Sequence, residues 1–267
     1  MAKHLDVELS NHIATVSLSS PTMPPRFFEE LGEIFGDLGA RDELRCIVIR
    51  GSDKAFSYGL DLPRAFQEHG PILMGANLAG PRMKLRDLIL RWQSHITSVA
   101  ACPVPVIAAI HGWCIGGGLD LASACDVRLA SADARLSLRE TRIAIVADLG
   151  SLQRVPRLIG HGMARELALT GRDVSAEEAC SMGLVNRVYP DRGALWEGAQ
   201  AMAEEIAANP PLTVRGVKQV LDYSSEHSVA DGLQYVAAWN SAFLASEDLG
   251  EAIAAFSNRR RPDFKGQ

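Results

Sequence analysis

Residues 110–126, IHGWCIGGGLDLASACD, run an apolar segment into three consecutive glycines, Gly116, Gly117 and Gly118, and then into helical spacing. Glycine lets another backbone or a ligand approach closely. The unpaired N–H groups at a helix start, with the helix dipole behind them, favour an anion or a developing negative charge. Two chemistries fit this pattern, a phosphate cradle and an oxyanion hole. The spacing is neither GxGxxG nor GxxxxGK followed by Ser or Thr, so the defining residues of a dinucleotide fold and of a P-loop are missing. An oxyanion hole needs a second N–H donor converging on the same oxygen. Residues 54–62, KAFSYGLDL, offer one, because Gly59 makes a second turn just after the strand-like Cys46–Arg50. If the two strands are parallel neighbours, both turns open at the carboxyl edge of the sheet, where α/β proteins bind ligands.

Three carboxylates lie in or after this region: Asp120, Glu140 and Asp148. Asp120 falls in the first turn of the helix that begins near Gly117, where a carboxylate also stabilises the helix dipole. Glu140 has Arg139 and Arg142 close in sequence as ion-pair partners. Asp148 interrupts the apolar stretch IAIVADLG before Gly150 and a helix at 151–158, and helix capping is its structural alternative. Cys114 precedes the glycines, but only His111 is near to activate it, and its apolar setting reads as core. The seven histidines form no HExxH motif and the five cysteines no CxxC pair, so no metal is expected.

The elements that must position these groups follow from periodicity. Residues 5–9 and 13–18 read as a hairpin with its turn at Ser10 and Asn11. A helix at 27–38, a buried strand from Cys46, a helix at 85–99, a strand at 104–110, a helix at 119–125 and a strand at 127–130 give α/β order. Residues 68–81, with Gly or Pro at five positions, read as a loop that either borders a ligand or is an ordinary surface connection. After Asp191 every segment reads as helix: 193–208, 212–223, 228–244 and 249–258. The boundary divides a core at 1–192 from a helical region at 193–267.

With 267 residues, 47% hydrophobic and 22% charged at a net charge of −5, the chain has the composition of a globular protein that buries a large core. The odd, scattered cysteines suit a reducing compartment. The longest apolar run, 99–110, is half of what a spanning helix needs and holds Pro103 and Pro105, so no membrane is expected. The acidic balance argues against a nucleic-acid surface, and the run Arg259, Arg260, Arg261 reads as a solvated helix end. The N-terminus shows no apolar secretory run or Arg-rich transit pattern and DFKGQ is not a peroxisomal address, so a cytoplasmic site is expected.

Taken in order, AFSYGLD, HGWCIGGGLDLASACD, LGSLQRVPRLIG and GLVNRV resemble the crotonase superfamily of acyl-CoA enzymes over nearly the whole chain. The resemblance implies an α/β fold, a crotonase-type spiral of ββα units with a helical C-terminal trimerisation region, as a homotrimer or a dimer of trimers. It implies an acyl-CoA thioester as ligand, with its carbonyl oxygen held by the N–H groups of Leu60 and Gly117. Ser57, Tyr58, Gly59, Asp61 and Gly116 would then border the substrate, and Arg26, Lys54 and Arg64 would meet the CoA phosphates. The segment SPTMPPRFF departs there from the family's usual Asn-containing pattern. No cofactor is implied beyond the CoA of the substrate. Members that hydrate enoyl-CoA usually carry glutamates at positions 120 and 140 and glycine at 148. The trio Asp120, Glu140 and Asp148 is similar instead to the isomerases that convert 3,5-dienoyl-CoA to 2,4-dienoyl-CoA in fatty-acid degradation. Glu140 and Asp148 would transfer the protons and Asp120 would polarise or orient them. Enoyl-CoA hydration is the alternative, and non-catalytic RNA or CoA binding a further one.

Overall fold

The alternating apolar residues at the N-terminus pair β1 (Leu5–Ser10) antiparallel to β2 (Ile13–Leu18), with Leu5 opposite Leu18. The computed structural model describes residues 3–74 and 78–267. The hairpin turn lies at Asn11 and His12, both at positive φ (48° and 67°), one residue beyond the expected Ser10 and Asn11. Two left-handed residues make the turn whose twist matches that of the flanking strands, which Asn favours.

From β2 onward one unit repeats: a longer strand, a short strand, then helix. β2 is followed by β3 (Thr22–Met23) and α1 (Pro25–Gly39), and β4 (Cys46–Arg50) by β5 (Gly59–Leu60), α2 (Leu62–Leu73) and α3 (Ala79–Ala100). β6 (Val106–Ile110) is followed by β7 (Trp113–Ile115) and α4 (Gly117–Ser123). β8 (Val127–Ser131) leads to β9 (Arg135–Ser137), a 3-10 turn at Glu140–Ile143 and α5 (Ser151–Ile159). α6 (His161–Thr170), β10 (Val174–Ser175), α7 (Ala176–Ser181) and β11 (Arg187–Tyr189) complete the sheets. α8 (Arg192–Ala207), α9 (Pro211–Glu226), α10 (Val229–Phe243) and α11 (Glu247–Ser257) follow. The longer strands form one six-stranded sheet in the order β1-β2-β4-β6-β8-β11, parallel except for the hairpin. The short strands pair among themselves, β3 with β5, and β9 with both β7 and β10. The chain therefore advances by one strand in each sheet per unit, which is a spiral.

Both faces of the main sheet are covered, so its central strands are apolar throughout instead of alternating. Ile47, Ile49, Val106, Ala108 and Ile110 enter the larger core with Phe27, Phe28, Trp92 and Ile96. Their neighbours Cys46, Val48, Ile107 and Ala109 face the other way, against Leu195, Ala199, Ala203 and Ala207 of α8. Alanine at every fourth position lets α8 lie close on the sheet. Burying one Leu- or Ile-sized side chain here is worth about 2 kcal/mol.

The expected loop at 68–81 is corrected: α2 continues to Leu73 through Pro71, and α3 already begins at Ala79, so Pro81 sits in its first turn. Residues 75–77 lie outside the described residues. Proline in the first turn sacrifices no hydrogen bond, which is why it failed as a breaker there.

Candidate active site

Two turns meet at the carboxyl edge of β4 and β6. Residues 56–58 are laced to β7 and the preceding loop, with Phe56 N donating to His111 O, Ser57 N to Trp113 O and Ile115 N to Ser57 O (2.8, 2.8 and 3.0 Å). Gly59 has φ +80°, and a Cβ there would stand 2.8 Å from both Gly117 N and Ile115 O. Only glycine satisfies both the dihedral and the approach. On either side of Leu60, Gly59 N donates to Ser57 Oγ (3.0 Å) and Asp61 N to Met23 O (2.9 Å). A Cβ on Gly117 would lie 3.6 Å from Leu60 N, so the two residues approach closely. Gly117 opens α4, and its N–H is among the first four of a helix, which have no intrahelical acceptor. Leu60 N and Gly117 thus come close together, as the expected donor pair requires.

Gly116, at φ +54°, turns β7 into α4, and a Cβ on it would be 3.5 Å from Glu140 Oε1. Glu140 therefore lies directly beside the donor pair. Its Oε2 is buried without a hydrogen-bond partner among the described residues. The expected ion pairs with Arg139 and Arg142 do not form. Arg139 makes a forked bond to Asp173 (2.7 Å), and Arg142 Nε donates to Thr170 O (3.4 Å). Burial, followed by the negative charges of Asp120 and Asp148, pushes the Glu140 carboxyl up to about 7.

Asp120 is 1% exposed. Its Oδ1 accepts the N–H of Ser151 at 2.6 Å, so a side chain on α4 satisfies an orphan donor at the start of α5. Burial raises its carboxyl to about 6 against the lowering effect of Ser151, with Asp148 adding a raise and Arg154 a reduction. Asp148 lies between buried Ala147 and Leu149 in the segment leading to α5, and burial raises its carboxyl too. The three carboxylates are close enough to feel one another, and the donor pair borders them. An environment that raises carboxyl groups toward neutrality is suited to proton transfer.

Other expected site residues have different occupations. Ser57 is fully buried and donates to Pro21 O (3.1 Å), so its hydroxyl braces the Gly59 turn. Asp61 caps α2 by accepting from Arg64 N (3.1 Å). Tyr58 is exposed, as are Lys54 and Arg64, with Arg64 3.7 Å from Asp61. Arg26 is held by Glu29 and Glu33 (2.7 and 3.1 Å), which oppose a phosphate role. Cys114 is fully buried and its thiol is pushed well up, which removes it as a nucleophile. The sequence reading missed Ser151 and Gln93, since neither stands in a chemical motif; Gln93 Nε2 donates to Asp148 O at 2.6 Å.

Residues 8–267 match the family model for enoyl-CoA hydratase/isomerase. A protein of Arabidopsis thaliana named peroxisomal Delta(3,5)-Delta(2,4)-dienoyl-CoA isomerase is 42% identical, over 98% of this chain and 91% of its own. A mitochondrial protein of the same name from Dictyostelium discoideum is 40% identical, over 96% and 88%. The crystal structure of an enoyl-CoA hydratase from Bacillus anthracis superposes with a TM-score of 0.89 at 34% identity, covering 99% of this chain and 100% of that one. The spiral is the fold that this structure shares. The relatives' compartments, mitochondrial and peroxisomal, overturn the expectation of a cytoplasmic site, which rested on the patterns of the two terminal segments.

Proposed function

Because the chain belongs to the enoyl-CoA hydratase/isomerase family, we propose that it moves the double bonds of a 3,5-dienoyl-CoA to give the 2,4-dienoyl-CoA in fatty-acid degradation. The observation that carries this reading is the trio Asp120, Glu140 and Asp148 gathered at one paired-glycine donor site. The thioester carbonyl would accept from the N–H groups of Leu60 and Gly117. As C2 loses its proton, negative charge moves onto that oxygen, where the donors are worth most.

Glu140 neighbours Gly116, so it serves C2, the carbon next to the held carbonyl. Its ionised carboxylate takes the C2 proton, and the electron pair delocalises over oxygen, C4 and C6. Asp148, protonated, delivers a proton to C6 and completes the 2,4-diene. Glu140 ends protonated and Asp148 ionised, and proton exchange with water restores both. One proton leaves and one arrives, with no redox change, so no cofactor beyond the substrate's own CoA is needed. Asp120 places negative charge near Glu140, which strengthens that carboxylate as a base, and ties α4 to α5 through Ser151.

The same reading gives residues 193–267 the role of an oligomerisation region in a homotrimer or dimer of trimers. Its support is the apolar surface of the last three helices, where Val229 and Phe256 are 81% and 87% exposed. The test of the activity is to supply purified protein with a 3,5-dienoyl-CoA and, separately, a 2-enoyl-CoA, following ultraviolet absorbance. Growth of the conjugated 2,4-diene is the expected result. Hydration of the 2-enoyl-CoA without diene growth would replace the isomerase reading with the hydratase one.

A further inference from the structure

Residues 144–150, between the 3-10 turn and α5, have no regular secondary structure and carry Asp148. Two donors tie this segment to α3. Gln93 Nε2 donates to Asp148 O at 2.6 Å. Arg154 Nη1 donates to the next carbonyl, Leu149 O, at 3.3 Å, while Nη2 of the same guanidinium donates to Thr97 Oγ1 at 3.1 Å. Gln93 and Thr97 are four residues apart, so they share one face of α3. Consecutive carbonyls are thereby fixed on one helix, and with them the backbone angle that sets where the Asp148 side chain leaves the chain.

We propose that Gln93 is a positioning residue for Asp148, acting through the Asp148 carbonyl, with Arg154 on Thr97 as the second half of the same clamp. An amide suits this position because it donates without a net charge. A lysine or arginine at the same distance would attract the Asp148 carboxylate and favour its ionised form. A segment without secondary structure cannot hold a carboxyl group to the accuracy that proton transfer requires, and a misplacement of about 1 Å can cost on the order of 100-fold in rate. The kinetic part of this inference rests on the isomerase reading. The structural part does not.

Gln93→Met keeps the length of the side chain and removes the donor. Its kcat on a 3,5-dienoyl-CoA should fall about tenfold with KM within twofold, and amide hydrogen exchange should rise at residues 145–150. In an Asp148→Asn background the same substitution should cost nothing further, because a positioning residue has nothing left to position. Thr97→Val, a milder change on a folded helix, should move kcat and exchange in the same direction by about two- to threefold. Unchanged kcat and exchange in Gln93→Met, or an equal loss in the Asp148→Asn background, would overturn the clamp. A wild-type protein without isomerase activity would refute the function reading, while the exchange at 145–150 in Gln93→Met would still decide the clamp.

Discussion

Glu140 is a carboxyl group that folding makes harder to ionise. Its folded value of about 7 lies above the 4.5 of an open chain, so the folded state binds more protons than the unfolded state between those limits. The stability it contributes is full below pH 4.5 and is lost as pH rises through 7. At pH 8 the buried charge costs about 2 kcal/mol, a discounted figure for a group that keeps some contact with water. Glu140→Gln should therefore raise Tm at pH 8 by about 5 °C and give no gain at pH 4, as scanning calorimetry would read. A variant equally stabilised at both pH values would mean that the charge is not the cause. At this scale the sequence was partly legible. Asp148 stood out in its apolar stretch, whereas Asp120 and Glu140 were singled out by the family resemblance, and Arg139 looked like a partner of Glu140 only because it was adjacent. In the fold it reaches Asp173 from across 34 positions, and it also lies over the Trp113 ring. Long-range pairing of this kind leaves no local pattern.

At the scale of elements, the donor pair depends on how closely β5 approaches the start of α4. Gly59→Ala would force a left-handed φ on a residue with a side chain and press its Cβ against Gly117 N and Ile115 O, each 2.8 Å away. We expect kcat/KM to fall at least 100-fold, the loss typical of one oxyanion donor, with stability reduced by about 1 to 2 kcal/mol. Steady-state kinetics with a urea titration would separate the two effects, and activity within threefold of wild type would remove the donor pair from the mechanism. The two glycine turns were legible because strand-then-glycine is a pattern of local sequence. The helix at 85–99 was legible as well, but α2 and the first turns of α3, on either side of residues 75–77, were not. Gly70 and Pro71 look like breakers, yet Pro71 lies inside α2, where packing against α1 and α3 overrides propensity. The 3-10 turn at Glu140–Ile143 was equally hidden, for it follows from its attachment to α6 through Thr141 Oγ1 and Ala168 O (2.7 Å).

At the scale of the whole molecule, the last helices are joined to the core by a few polar anchors. Asp126 accepts from Val106 N and from the buried Lys218 Nζ of α9 (2.7 and 2.8 Å), and Arg45 donates to Ala207 O and Phe264 O (2.9 and 2.6 Å). Apolar side chains on these helices, among them Val217, Leu221, Leu233 and Ile253, are each more than half exposed, and exposed apolar side chains gathered on one region mark a surface for association. Light scattering at micromolar concentration should give three or six times 28.8 kDa, and a mass of 28.8 kDa would retire the trimer proposal. The helical succession after Asp191 could be read from periodicity, whereas Lys218 and Asp126, 92 positions apart, could not.

Three carboxyl groups whose charges folding crowds together also make the empty site a proton reservoir. An acyl-CoA that displaces water from them, and whose own phosphates are anionic, adds to what already disfavours ionisation, so association should draw protons from the medium. Titration calorimetry with a saturated acyl-CoA at pH 7.5 would register this as a heat that changes with the ionisation enthalpy of the buffer, at a fraction of a proton per site. A heat independent of buffer would mean that ligand binding leaves the protonation of the trio untouched. Through this uptake the affinity itself becomes a function of pH, and the compartment's acidity becomes a determinant of how fully the enzyme is occupied.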